Sequence, residues 1–351
     1  MRSMFVFLML TNLAHAAAGG TYVLQRQIVL GGPGGWDYMT VDSAAGRLFI
    51  SRADRVLVMN LQDGSVANTI ADTQGVHGIA LAPDLGKGFT SNGRADSVTM
   101  FDLASLAPLG TIGVTGHNPD AILYDQHSRR VYTFNGRSQD ISVIDPLKSV
   151  VVATLPAGGK PEFAATDDAG RIYFNIEDTS QMGVIDSTMT KRWDTFPMPD
   201  CEEPSGLAFD VAHKRLFSVC GNGVLVVTDA ASGRHVATVP IGKGPDAAAF
   251  DAGRRLIFSS NGEDGSLSII HEKDAQSFVP LPTIATAVSA RTMSIDPQTG
   301  RLYLLAGTLN ADDPHVSQQP ATAGAQISGP SRVRRSIVPG SLRLMFLDPT
   351  P

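Results

Sequence analysis

Short runs of alternating apolar and polar residues recur from about residue 22 onward, each bounded by Gly, Asp, Asn or Pro. Period-two alternation places successive side chains on opposite faces of an extended strand, whereas no stretch shows the 3.6-residue apolar spacing of an amphipathic helix. The pattern therefore predicts strands throughout. They arrive in a fixed order. A strand closing on an acid or small turn residue is followed by an aromatic-rich strand: 39–42 then 47–50, 79–82 then 88–90, 122–125 then 131–134, and 164–167 then 172–174. The pair returns at 207–210 with 216–219, 248–251 with 257–258, and 293–296 with 302–304. That makes seven copies.

Third strands follow, as at 56–60, 97–102, 141–145 and 224–229, and fourth strands at 150–155 and 235–239. Four short strands rich in β-branched residues every ~40–45 residues are the mark of a propeller blade. The predicted fold is all-β, a seven-bladed β-propeller of four-stranded blades. Its last copy supplies only three strands, 293–296, 301–305 and 342–347, while an orphan strand at 25–30 precedes the first copy. Closure by the N-terminal strand joining the last blade would remove two exposed sheet edges. Residues 308–339, rich in Pro, Gly, Ser and Gln, interrupt that blade and are expected to form a flexible loop on the face where strand one of each blade begins.

The Gly-x-x-Pro openings (Gly116 to Pro119, Gly158 to Pro161), the strand-two aromatics and the Val-Ile-Asp endings (143–145, 184–186) are similar to those of the YVTN-repeat, YncE-like β-propellers. The resemblance covers nearly all of the chain after its first residues and implies an exported seven-bladed propeller. It implies no single activity, since such propellers serve ligand, protein or DNA binding and catalysis. Blade two lacks the Pro opening, and the 308–339 insertion is additional.

Composition adds an address. Arg2, the apolar run from Met4 to Leu10 and Ala14-His15-Ala16 form the three parts of a secretory signal peptide, residues 1–16, with cleavage after Ala16, or after Ala17 or Ala18. Residues 21–351 then form a single propeller domain without a membrane span, expected to be a periplasmic or secreted monomer. Cys201 and Cys220 are the sole cysteines, placed before strand one and at the end of strand two of blade five. Antiparallel pairing returns those ends to one face, so a disulfide is expected in an oxidising compartment. Two free thiols or a two-thiol metal site are the alternatives.

Candidate chemistry follows from the repeat. Aligned copies place one residue per blade at the start of strand one, where the central channel opens: Asp37, His77, Asp120, Glu162, Ser205, Asp246 and Arg291. A second ring, at the end of strand two, reads Arg52, Asn92, Asn135, Ile176, Cys220, Asn261 and Ala306. Carboxylates with Asn92, Asn135 and Asn261 carbonyls suit a hard cation such as Ca²⁺, whereas His77, Asp120 and Glu162 suit a transition metal. Arg291 can hold an anionic group. The bland alternative is a solvated rim with Asp246–Arg291 and Arg291–Asp37 ion pairs and left-handed turn asparagines. Trp36 is read as packed or stacking a ligand at the rim, and Tyr38 as packing between blades. Arg332, Arg334 and Arg335 sit in the loop, ready for an anionic ligand or a partner. The aspartates at 42, 125, 167, 210, 251 and 296 are hairpin-turn residues of the opposite face.

The expected function is a binding or interaction protein for a small polar ligand or a protein partner. A metal-assisted, lactonase-like hydrolase is the alternative. Single-stranded DNA is disfavoured by the net charge of −6. Haem-attachment, zincin, Walker and nucleophile-elbow motifs are absent from the sequence.

Overall fold

Six of the seven strand-one to strand-two hairpins turn on an aspartate, blade two using the short turn Pro83–Leu85 instead. Asp125 accepts a hydrogen bond from the Ser128 N–H at 2.8 Å, Asp210 from Ala212 at 3.0 Å and Asp296 from Gln298 at 3.1 Å. Such turns satisfy backbone donors locally, and this reverses the chain within a few residues. The first strands so defined are Met39–Asp42, Val76–Ala82, Pro119–Asp125, Pro161–Thr166, Pro204–Asp210, Pro245–Asp251 and Thr292–Ile295. Each packs against the next, and Thr292–Ile295 packs back against Met39–Asp42, so the inner strands form a closed circle.

The structure, a computed structural model, describes residues 22–188, 191–310 and 337–350. It is an all-β, seven-bladed propeller of antiparallel four-stranded sheets. The seventh sheet has the order Tyr22–Val29, Arg343–Pro349, Leu302–Ala306, Thr292–Ile295, so the N-terminal strand closes the ring. That strand begins three residues earlier than the pattern predicts. Tyr22 anchors it, packing edge-on against Phe258 with centroids 5.0 Å apart and donating its hydroxyl to the Gly300 carbonyl at 2.8 Å. Blade six carries an unexpected fifth strand, Ile284–Ala285, beside Ser266–Asp274.

The core lies between blades, because each sheet buries both faces against its neighbours. Phe49 meets Phe101, Phe134 meets Phe174, Tyr173 meets Phe209 and Phe217 meets Phe250, at centroid distances of 5.4–5.7 Å. Cys201 and Cys220 are joined in a disulfide, with Cα atoms 5.3 Å apart. The insertion in blade seven starts from a small antiparallel stem, Leu309 opposite Ile337, with the Val338 N–H bonded to the Thr308 carbonyl. The signal peptide and most of the 308–339 insertion, including Arg332, Arg334 and Arg335, lie outside the described residues. Among the described residues no helix is long and apolar enough to cross a membrane.

Candidate functional site

Strand one opens irregularly in five blades. Pro119 pairs with Asn135, yet the next regular pair is Ile122 with Thr133. Pro161, Pro204 and Pro245 behave alike, and Val76 does the same in blade two. Proline has no N–H to give the ladder, and the bulge after it re-aims the next side chain. The residues released in this way are Asp120, Glu162, Ser205, Asp246 and His77. Close approach of blades two and three needs Gly78, where a Cβ would stand 2.8 Å from Ile122 Cγ2 and 3.1 Å from the Asp120 carbonyl oxygen. Ser91 Oγ clamps that same carbonyl, and Ser260 Oγ clamps the carbonyl of Arg291.

The released side chains converge. His77 Nδ1 lies 2.6 Å from Asp37 Oδ2 and 3.7 Å from Asp120 Oδ1, joining blades one, two and three. Arg291 Nε lies 3.5 Å from Asp246 Oδ2. The guanidinium is held protonated above its ordinary range, first by Asp246 and further by Asp37, Asp120 and Glu162. Burial pushes the Asp120 carboxyl up to about 6; Asp37 and Asp246 add to the rise, while His77 and Lys160 oppose it. Glu162 rises to about 8, through burial first and then Asp120 and Glu177, with Lys160 opposing. These carboxylates crowd one another without enough positive charge to balance them. Ser205 takes no part, because its buried hydroxyl is turned to the Pro245 and Asp246 carbonyls.

Several expectations need correction. Glu162 does not join His77; Lys160 Nζ stands 2.6 Å from Glu162 Oε1 and also contacts Glu177. The set whose donor atoms lie within 4.8 Å of one another is instead Asp37, His77 and Asp120. A hydrolase centred on His77, Asp120 and Glu162 thus loses its third ligand. Asn92, Asn135 and Asn261 do not line the mouth. All three are buried, and each amide is spent inside its blade: Nδ2 of Asn92 on Ser97 and Thr99, of Asn135 on Asp140 and Ser142, of Asn261 on Ser266 and Ser268. They end strand two in extended backbone, so they are not left-handed turn residues either. Arg52 is buried too, donating to carbonyls of the 31–35 loop.

Tyr38 packs against residues of blades three and four. Its ring stacks on Phe163 of blade four, with centroids 4.5 Å apart and planes 28° apart, and so spans the axis. The phenol is held well above its usual range by desolvation and then by Asp120, Glu162, Asp37 and Asp246, which places it within the field of the acids. The pair makes a floor and turns the channel mouth into a cup. Beside the floor is a void of about 30 Å³, lined among others by Asp37, Met39, Asp246 and Thr292. Trp36 packs toward Gly307 of blade seven, with its buried Nε1 lacking a hydrogen-bond partner. Lys160, Glu177 and Phe163 are site residues that sequence reasoning missed. Lys160 stands immediately before the Pro161 opening and Phe163 just after the ring position, so the repeat alignment offered a signal for both.

No family model matches the chain, and no curated protein matches it. Solved structures do. A chain of Kuenenia stuttgartiensis hydrazine synthase aligns with a TM-score of 0.66 at 16% identity, over 81% of this chain and 96% of that one. A chain of a mitotic checkpoint complex aligns at 0.71 and 17%, covering 87% and 95%. U3-55K aligns at 0.72 and 10%, covering 92% and 98%. At these identities the likeness shows the fold alone. It is a propeller. A disulfide is consistent with an extracytoplasmic protein.

Proposed function

We propose that the chain is an exported, YVTN-like binding propeller, periplasmic or secreted, whose cup captures a small cationic ligand. The observation that supports this is the charge imbalance at the mouth. Five carboxylates, Asp37, Asp120, Glu162, Glu177 and Asp246, gather with two fixed cations, Lys160 and Arg291, and the His77 imidazole. A divalent ion fits the Asp37–His77–Asp120 set, in which one imidazole and two carboxylates can each offer a donor. An organic amine would use the same acids above the Tyr38–Phe163 floor. A phosphate backbone meets repulsion here, so the DNA reading gains no support.

Calorimetric titration of chelator-dialysed protein tests the proposal, with Ca²⁺, Mn²⁺ and Zn²⁺ in one arm and a diamine in the other. Binding is expected at pH 8 and at least tenfold weaker at pH 5.5, because protons compete for Asp120 and Glu162. Asp37→Asn and Asp120→Asn should each weaken it at least tenfold. Absence of heat with every cation at pH 8 would sink the reading, and the responding arm tells metal from amine.

A further inference from the structure

On the opposite face, between blades five and six, a second acid–imidazole cluster departs from the pattern of the other blades. In blade three Ser128 Oγ bonds Asp125, and the Tyr132 hydroxyl reaches the Ser187 carbonyl of blade four at 3.3 Å. Blade four repeats the device, Tyr173 donating to the Ala230 carbonyl of blade five at 3.0 Å. Strand pairing puts Asp210, His213 and Phe217 at the blade-five positions of Asp125, Ser128 and Tyr132. Glu272 occupies the place of Ser187 and Ala230. Its N–H bonds the Arg255 carbonyl just as theirs bond Gly170 and Lys214, in each case ahead of strand two. The aspartate is kept, while the serine has become a histidine and the neutral partner from the next blade a glutamate.

The geometry of the three is tight. His213 Nδ1 lies 2.5 Å from Asp210 Oδ2 and 3.4 Å from Glu272 Oε1, and all three donor atoms fall within 4.8 Å of one another. Glu272 is fully buried, and among the described residues no donor makes a well-aligned hydrogen bond to its carboxylate oxygens, whose close polar neighbours are His213 and the like-charged Asp210. Arg255 Nε faces Oε2 at 4.0 Å, too far for a hydrogen bond, and is itself buried without one. A buried carboxylate without a well-aligned donor carries a large desolvation penalty that a cation would relieve. Tetrahedral zinc with bonds of ~2.0–2.1 Å sets its donors about 3.3 Å apart. The His213–Glu272 separation already matches, and the His213–Asp210 pair would open by under about 1 Å.

We propose that Asp210 and His213 of blade five and Glu272 of blade six form a site for a divalent first-row transition metal, one that pins the two blades together. One imidazole with two carboxylates is a donor set for Zn²⁺, Mn²⁺ or Co²⁺ rather than for Ca²⁺. The half-exposed His213 ring gives the ion its entry from solvent.

Zn²⁺ titration of the chelator-dialysed full chain, read by calorimetry, tests the site. His213→Ser and Glu272→Ala install residues that other blades carry at these positions, which favours correct folding. Each should remove one zinc equivalent or weaken it at least tenfold. The cup variant Asp37→Asn/Asp120→Asn should keep that equivalent, which separates this site from the cup. Co²⁺ absorption of the cup variant provides a second reading, with ligand-field bands expected to vanish on adding His213→Ser. Zinc binding untouched by both junction substitutions, or none in the cup variant, overturns the proposal.

Discussion

Asp120 and Glu162 are ordinary carboxylates made costly by where the fold holds them. Their folded-state values of about 6 and about 8 lie above those of the unfolded chain, so between pH 4 and 8 the folded state holds more protons. Stability from these groups is complete below the unfolded values and falls as pH rises through the folded ones. Asp120→Asn and Glu162→Gln should therefore stabilise the chain at pH 8, by on the order of 2 kcal/mol, and leave it little changed at pH 4. Urea unfolding at the two pH values is the check; equal effects at both would contradict the assignment. At this scale the repeat marked positions that the fold then sorts: Asp37, His77 and Asp120 meet, whereas Ser205 and three asparagines turn to partners away from the mouth. The asparagines illustrate the limit. Thr90 with Asn92, Thr133 with Asn135 and Ser259 with Asn261 are spaced two apart on one strand face and hydrogen-bond each other. That spacing was visible in the sequence and pointed inward, to a polar row inside blades two, three and six.

Among elements, the opening of strand one in blade five shows how local chemistry is secured. Its proline-led bulge at Pro204 is preceded by Cys201, whose disulfide to Cys220 spans 19 residues. Closing a loop of this length in the unfolded chain is worth about 3 kcal/mol in the chain-entropy model. Reduction, or Cys201→Ser with Cys220→Ser, should lower unfolding stability by about that amount. An unchanged urea midpoint would show that the bridge is energetically idle. The pairing was legible from cysteine position because antiparallel strands return their ends to one face. Glu272 was not. It lies one residue beyond the stretch that aligns with other third strands, and its meaning depends on a neighbouring blade.

For the whole molecule, closure is the decisive interaction. The N-terminal strand contributes Tyr22 to the junction of blades six and seven and Ile28 to that of blades seven and one, where Leu30, just beyond the strand, joins it. Deleting residues 22–29 would open the Arg343–Pro349 edge and expose both junctions. Loss of cooperative unfolding and self-association are expected, measured by circular dichroism and size-exclusion chromatography. The milder Tyr22→Ala should cost about 3 kcal/mol and keep the monomer. A deletion that remains monomeric and melts as before would show that closure is dispensable.

The amino-acid sequence by itself determined the strand order, the blade number, the closing strand and the disulfide. All of these depend on periodicity and on positions a few residues apart, which period-two geometry and turn chemistry translate directly into structure. Tertiary structure alone decided that Tyr38 meets Phe163 across the axis, that Lys160 withdraws Glu162 from His77, and that Glu272 meets His213. Those contacts join residues far apart in the chain, and their distances are set by the radius of the ring and the packing of its blades, quantities no local pattern encodes.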